Sequence, residues 1–167
     1  MLKLSPKFKE FILTETKRDF LEGTTAAGKT TVGIFKFMLM VAKSDIKYHV
    51  IAGADLGTVE KNVINNERGL LDQFNGLAEY YPKGQGRIGL SHIKYQTPNG
   101  EKIIYVCGYD NKARWKKVLG SQQGCVYIDE VNTADMEFLR EISHRCKYMM
   151  TTSNPDSPDL LVYKEFI

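Results

Sequence analysis

The segment Gly23-Thr24-Thr25-Ala26-Ala27-Gly28-Lys29-Thr30 fits the pattern G-x-x-x-x-G-K-[ST] over its full length. Few short motifs constrain a fold as tightly. The glycines permit a loop whose backbone N–H groups turn inward and form a concave anion site. Such a loop needs a strand to deliver it and a helix to receive it, because the helix N-terminus adds partial positive charge at the same point. The flanks meet that requirement. Asp19-Phe20-Leu21-Glu22 is a short strand-like run ahead of the loop, and Thr31 to Lys43 is apolar on nearly every helical face, as in a helix buried against a sheet. Gly23, Thr24, Thr25, Ala26, Ala27, Gly28, Lys29, Thr30 and Thr31 are therefore the expected nucleotide-binding residues. Lys29 is directed at the β- and γ-phosphates and the Thr30 hydroxyl at Mg²⁺.

Downstream, strand-like and helix-like runs alternate. Tyr48 to Gly53 reads as a strand, and Leu56, Val59, Val63, Ile64, Leu70 and Leu71 have helical spacing. Gly84 to Gly89 is a glycine-rich loop. Ser91 to Gln96 and Lys102 to Cys107 are β runs joined through Pro98-Asn99-Gly100, a hairpin signal. Arg114 to Leu119 is a short basic helix, with Trp115 as its anchor in the core. Cys125 to Ile128 is a buried strand. Met136, Leu139, Ile142 or Ser143, and Cys146 fall on one helix face, and Tyr148 to Thr152 is a further strand. Alternating strands and helices imply a parallel sheet with right-handed crossovers, and the hairpin is expected as an insertion or an antiparallel edge. Ligands in such sheets sit beyond the carboxyl ends of the strands. The phosphate loop, Asp129-Glu130 and Ser153-Asn154 each follow a strand, so all three are expected at one edge.

The run Cys125-Val126-Tyr127-Ile128-Asp129-Glu130 ends an apolar strand in two carboxylates. Asp129 at the strand tip is placed to hold the Mg²⁺ shell opposite Thr30, partly through water, since Mg²⁺ takes few protein ligands. Glu130 is placed to accept a proton from an attacking water. That adjacent glutamate favours an NTP hydrolase over a small-molecule kinase, which needs no water activator. Hydroxyl and amide groups of Thr152, Ser153 and Asn154 are placed to sense the γ-phosphate. Arg87, Arg114, Arg140 and Arg145 are the candidates for neutralising transition-state charge.

Bulk composition excludes several classes. Of 167 residues, 43% are hydrophobic and 26% charged, ordinary for one globular domain. A net charge of +3 permits nucleic-acid contact without arguing for it. The three cysteines, Cys107, Cys125 and Cys146, are far apart and form no C-x-x-C or Cys/His cluster, so neither a zinc site nor a disulfide framework is expected. A reducing, cytoplasmic setting is expected. Met1 to Lys7 has no signal-peptide apolar region. The run Ile34 to Ala42, broken by Lys36, is too short to span a bilayer.

Taken together, these motifs resemble the N-terminal ATPase domain of tailed-bacteriophage terminase large subunits, the motors that pump viral DNA into procapsids. The resemblance rests on Leu4-Ser5-Pro6-Lys7, Gly23 to Thr31, Gly108-Tyr109-Asp110, Lys117-Val118-Leu119-Gly120, Val126 to Glu130 and Thr152-Ser153-Asn154-Pro155. It covers essentially the whole chain. It implies an α/β fold: a P-loop NTPase of the ASCE type, with a mostly parallel sheet flanked by helices, in one domain over residues 1–167. It further implies Mg²⁺-dependent ATP hydrolysis that drives DNA translocation, catalysed by Glu130 and Lys29. Thr152, Ser153 and Asn154 would form the coupling motif. The implied partners are double-stranded viral DNA, further copies of the chain in a ring, the portal and the small terminase subunit, with no membrane, in the host cytoplasm. A helicase or remodelling ATPase shares the same core and is the alternative reading.

The sequence departs from the family in several places. No arginine lies within Thr24 to Ala27, so a finger acting in cis from the loop is not expected; Arg114, acting in trans, is the first choice. Phe8 stands where many members carry an adenine-reading glutamine. No acid cluster of a nuclease domain is present, so the chain is expected to be an isolated domain of a longer protein that does not itself cut DNA.

Overall fold

The computed structural model describes residues 5–23, 28–120 and 122–153. The short apolar runs rich in β-branched and aromatic residues become strands of a single sheet, while the longer run from Lys29 to Lys43 is helical. The strands are β1 (Arg18–Glu22), β2 (Tyr48–Gly53), β3 (Ala78–Tyr81), β4 (His92–Thr97), β5 (Gly100–Gly108), β6 (Gln123–Ile128) and β7 (Cys146–Ser153). Their order is β1-β7-β6-β2-β5-β4-β3. The pairs β1–β7, β7–β6, β6–β2 and β2–β5 are parallel. The β4–β5 and β3–β4 pairs are antiparallel and form one edge. The hairpin closes with Thr97 opposite Gly100, and Gly100 supplies the positive φ (93°) that the tight turn requires.

Side chains alternate across the sheet with period two. Ile51, Val106, Tyr127 and Met150 face α2 (Lys29–Lys43), with Phe37, Met38 and Val41 packed on them. Val50, Ala52, Val126 and Ile128 face the opposite way, toward Trp115 of α5 (Lys112–Val118) and Phe138, Leu139 and Ile142 of α6 (Met136–Arg145). Trp115 is buried as expected, while Lys112 and Lys116 lie outside and pair with Glu137 at 2.7 and 3.6 Å.

One local reading is corrected and two are refined. The helical spacing from Leu56 to Leu71 is not continuous. It breaks into α3 (Leu56–Val59), a π-helical turn (Glu60–Ile64) and α4 (Leu70–Gln73). Asp55 caps α3 through its side chain, and the Asn65 N–H reaches back to the Glu60 carbonyl at 2.8 Å, the wide i→i+5 closure. Apolar periodicity cannot distinguish these turns, since all bury Val59, Val63, Ile64 and Leu70. Cys146 does not belong to the helix before it; α6 ends at Arg145 and β7 begins at Cys146 with no intervening loop. Finally, α1 (Pro6–Leu13) and β3 go beyond the elements expected from apolar spacing. Ser5 caps α1 with its hydroxyl and Pro6 occupies its first turn, a start signal present in the sequence.

Lys36, the one charge inside the α2 apolar run, is 1% exposed. Its ammonium sits 2.7 Å from Asp19 of β1, donates to the Thr14 carbonyl at 2.9 Å and lies over the Phe11 ring. Asp19 also accepts from Thr16 and Tyr148, each at 2.7 Å. This buried polar knot ties together β1 and α2, the two elements that flank the phosphate loop.

Candidate nucleotide-binding site

Because β1, β7 and β6 are adjacent and parallel, their carboxyl ends lie side by side. At the end of β1, the Gly23 N–H donates to the Ser153 carbonyl of β7 at 3.2 Å. Gly28 takes a left-handed conformation (φ 70°) and caps α2, and Lys29 and Thr30 open the helix. The Lys29 ammonium, 6% exposed, turns back and donates to the Gly23 carbonyl at 2.6 Å. Both ends of the loop are thus fixed by backbone and lysine contacts. Thr24, Thr25, Ala26, Ala27 and Asn154 lie outside the described residues.

Asp129 leaves the tip of β6 with its N–H on the Ala52 carbonyl of β2 (2.8 Å). It is 3% exposed. Burial raises its carboxyl above the usual range, while hydrogen bonds from Thr152 and Asn62 and the charge of Lys29 act against that rise. Thr152, fully buried on β7, donates its hydroxyl to Asp129 Oδ1 at 2.9 Å and accepts the Glu130 N–H at 3.4 Å. One hydroxyl therefore joins the strand carrying the expected coupling residues to both acids. Beneath it, the buried Tyr127 phenol lies close to the Thr30 and Thr152 hydroxyls without a completed hydrogen bond to either.

Glu130 adopts a left-handed conformation (φ 53°, ψ 53°), which costs a residue with a Cβ energy. Three contacts over-determine it. Tyr109 donates to its carbonyl at 3.1 Å, Thr133 donates to the same carbonyl at 2.9 Å, and Thr152 receives its N–H. Burial and then the Asp129 charge raise its carboxyl, and Lys29 opposes them. Gly108, ahead of Tyr109, has a plain steric reason: a Cβ there would meet the Asp55 Cα at 2.6 Å.

Gly28, Lys29, Thr30, Thr31, Asp129 and Glu130 line one open cleft of about 570 Å³, the size of an ordinary small-molecule site. Its remaining wall, which sequence reasoning missed, is Lys61, Asn62, Asn65 and Asn66 from the π-helical turn and the segment after it. Arg114, half-buried on α5, and Phe8, half-buried on α1, are not among the described residues lining the cleft. Arg145 is engaged with the Leu119 carbonyl (2.8 Å) and Glu141 (3.5 Å). No group of three or more His, Cys, Asp or Glu side chains that could hold a metal ion exists among the described residues. The available oxygen donors, one buried carboxylate and one hydroxyl, fit a Mg²⁺ that keeps waters and substrate phosphates as its other ligands.

The sheet order and this cleft define a P-loop NTPase-like α/β fold. No family model matches the sequence, and no curated protein matches it. In three dimensions the chain superposes on the large terminase of a thermophilic bacteriophage with a TM-score of 0.83, at 17% identity, over 99% of this chain and 42% of that one. The same protein in complex with ATP-gamma-S gives 0.79 at 17% identity, over 98% and 41%. The large terminase ATPase domain of Thermus phage P74-26 gives 0.53 at 14% identity, over 94% and 72%. The chain spans about two fifths of the length of the first two. The likeness to terminase large subunits read from the motifs thus extends to the fold of nearly the whole chain.

Proposed function

We infer that this chain is a Mg²⁺-dependent ATPase domain of the terminase large-subunit kind, whose hydrolysis drives viral double-stranded DNA into a procapsid. The observation that carries the reading is the convergence of Lys29, Thr30, Asp129 and Glu130 on one cleft at the carboxyl edge of the sheet. ATP binds with its phosphates against the loop and the α2 N-terminus. Thr30 and Asp129 would hold Mg²⁺, which would supply charge neutralisation to the phosphates when bound. Glu130 accepts the proton of a water whose oxygen bonds to the γ-phosphorus as the bond to the β,γ-bridging oxygen breaks. ADP and phosphate leave, and the proton passes from Glu130 to solvent. Lys29 balances charge on the phosphoryl oxygens. Loss of the γ-phosphate is read through Thr152, Ser153 and Asn154, because Thr152 already bonds Asp129 and the Glu130 backbone.

The whole motor adds a ring of copies, the portal and the small terminase subunit, working in the host cytoplasm. Arg114, outside the described cleft wall, is the candidate finger for a neighbouring copy's site. No helix among the described residues is long and apolar enough to cross a membrane. Steady-state ATP hydrolysis tests the reading. Lys29→Ala and Glu130→Ala should each reduce turnover at least about a hundredfold. Normal turnover in Glu130→Ala would remove the water-activating role.

A further inference from the structure

We propose that the π-helical turn after β2 completes the phosphoryl-transfer site in cis: Lys61 supplies a second cation beside Lys29, and Asn62 positions Asp129. The proposal rests on the ATPase reading above and adds to it a residue from a different element.

Three observations converge on this turn. First, Lys29 and Lys61 are the two cations among the described residues lining the cleft, and Asp129 and Glu130 the two carboxylates. The order β1-β7-β6-β2 sets β2 beside β6, on the side away from β1. A chain leaving β2 therefore passes Asp129 and Glu130, the end of the site where the γ-phosphate and attacking water meet. Second, Asn62 lines the same cleft wall as Asp129, which ties the turn to the acid at the tip of β6. Third, Lys61 is exposed and makes no ion pair or hydrogen bond among the described residues. Its long stem is free to extend into the cleft, unlike Lys29, which is already bonded across the loop.

The turn is also firmly held. The Tyr80 phenol donates to Glu60 at 3.0 Å, Val63 and Ile64 are fully buried, and the Gln73 amide of α4 donates to the Thr31 carbonyl of α2 at 3.2 Å. The wide closure at Glu60–Asn65 sets the angle at which Lys61 and Asn62 leave the backbone, and such turns concentrate at functional sites. As the bond to the bridging oxygen breaks and the water oxygen bonds to phosphorus, negative charge spreads over the equatorial phosphoryl oxygens. Lys61, together with Lys29, is positioned to meet it without a second subunit.

The test uses the full chain with MgATPγS, MgADP and MgATP. Lys61→Ala lies on the surface and should leave the thermal midpoint unchanged. It should weaken ATPγS binding about tenfold without altering ADP binding, and lower ATP turnover about a hundredfold. Lys61→Arg should recover most of both losses. Asn62→Ala should lower turnover and raise the Mg²⁺ concentration needed for half-maximal turnover, a shift that a purely structural role would not produce. If Lys61→Ala keeps the parent ratio of ATPγS to ADP affinity and the parent turnover while Lys29→Ala is inactive, the inference is wrong and the ATPase reading stands. If the parent chain binds neither nucleotide, both fall.

Discussion

Glu130 occupies a conformation that a glycine would adopt without strain, and this separates stability from function at a single position. At an ordinary site, glycine is less stable than alanine by about 0.5–1 kcal/mol, because it loses more backbone entropy on folding. At φ 53°, ψ 53°, a residue with a Cβ bears a penalty of about 1–2 kcal/mol that glycine escapes. The two terms oppose each other, and the larger decides. Glu130→Gly should therefore be more stable than Glu130→Ala by about 0.5–1 kcal/mol, reversing the usual sign. Comparing the two variants with each other, and not with the parent, cancels the loss of the carboxylate and of its repulsion from Asp129. Both variants keep the Tyr109, Thr133 and Thr152 contacts, which all involve the Glu130 backbone, and both should be inactive toward ATP. Urea unfolding at a common m-value measures the difference. A glycine variant less stable than the alanine variant would mean that the turn carries no strain, and the contacts around it would need another explanation.

The Lys36–Asp19 pair should behave as a coupled unit. Lys36→Met alone leaves a buried carboxylate without its cation and should cost about 3–5 kcal/mol, whereas Lys36→Met with Asp19→Leu should cost much less. Additive losses in the double-mutant cycle would contradict the coupling. His49, fully buried, donates from Nε2 to the Ile46 carbonyl (2.8 Å) and accepts the Cys125 N–H on Nδ1 (2.9 Å). Burial pulls its pKa down to about 4 from 6.5. Between those values the unfolded chain takes up the proton first, so stability should fall as pH drops from about 6.5 toward 4, by on the order of 3 kcal/mol. His49→Asn should flatten that part of the curve, and equal slopes in both proteins would refute it. Thr152→Val should cost about 1–3 kcal/mol by leaving Asp129 and the Glu130 N–H short of a partner. It should also lower ATP turnover, while Thr152→Ser retains both properties; matching losses in Val and Ser would move the cause from the hydroxyl to packing.

Where local chemistry determines structure, the sequence is legible. Tyr48 to Gly53 alternates sides between two packed layers and falls on β2 to the residue. Pro98-Asn99-Gly100 places the hairpin because only a positive φ closes that turn. What cannot be read is register in space. Lys36 looks like an interruption of an apolar helix. It is in fact a buried partner of Asp19, and nothing within α2 reveals which strand passes it. The Cys146 boundary escapes for a related reason: with no loop between α6 and β7, the helical period runs into the strand without a break signal.

The same distinction decides how far the site can be foreseen. Lys29, Thr30, Asp129 and Glu130 sit next to strand tips, so knowing that the strands are parallel is enough to bring them to one edge. Lys61 and Asn62 carry no motif. Their place depends on β2 lying beside β6 and on a turn that opens by one residue after α3, two facts of tertiary structure that hydrophobic spacing does not encode. The absence of an arginine from the loop leaves a charge to be found, and sequence alone directs the search toward arginines, with Arg114 first among them. For a charge supplied in cis, the proposal turns to a lysine, because Lys61 lines the cleft beside Glu130; Arg114, expected to act in trans, would serve the cleft of another copy. If Lys61 carries the charge, each site is complete within one chain for chemistry. A neighbouring copy in a ring would then be needed to time the step, not to make it possible, and a dilute, unassembled chain should retain measurable ATP turnover that falls with Lys61→Ala at every protein concentration.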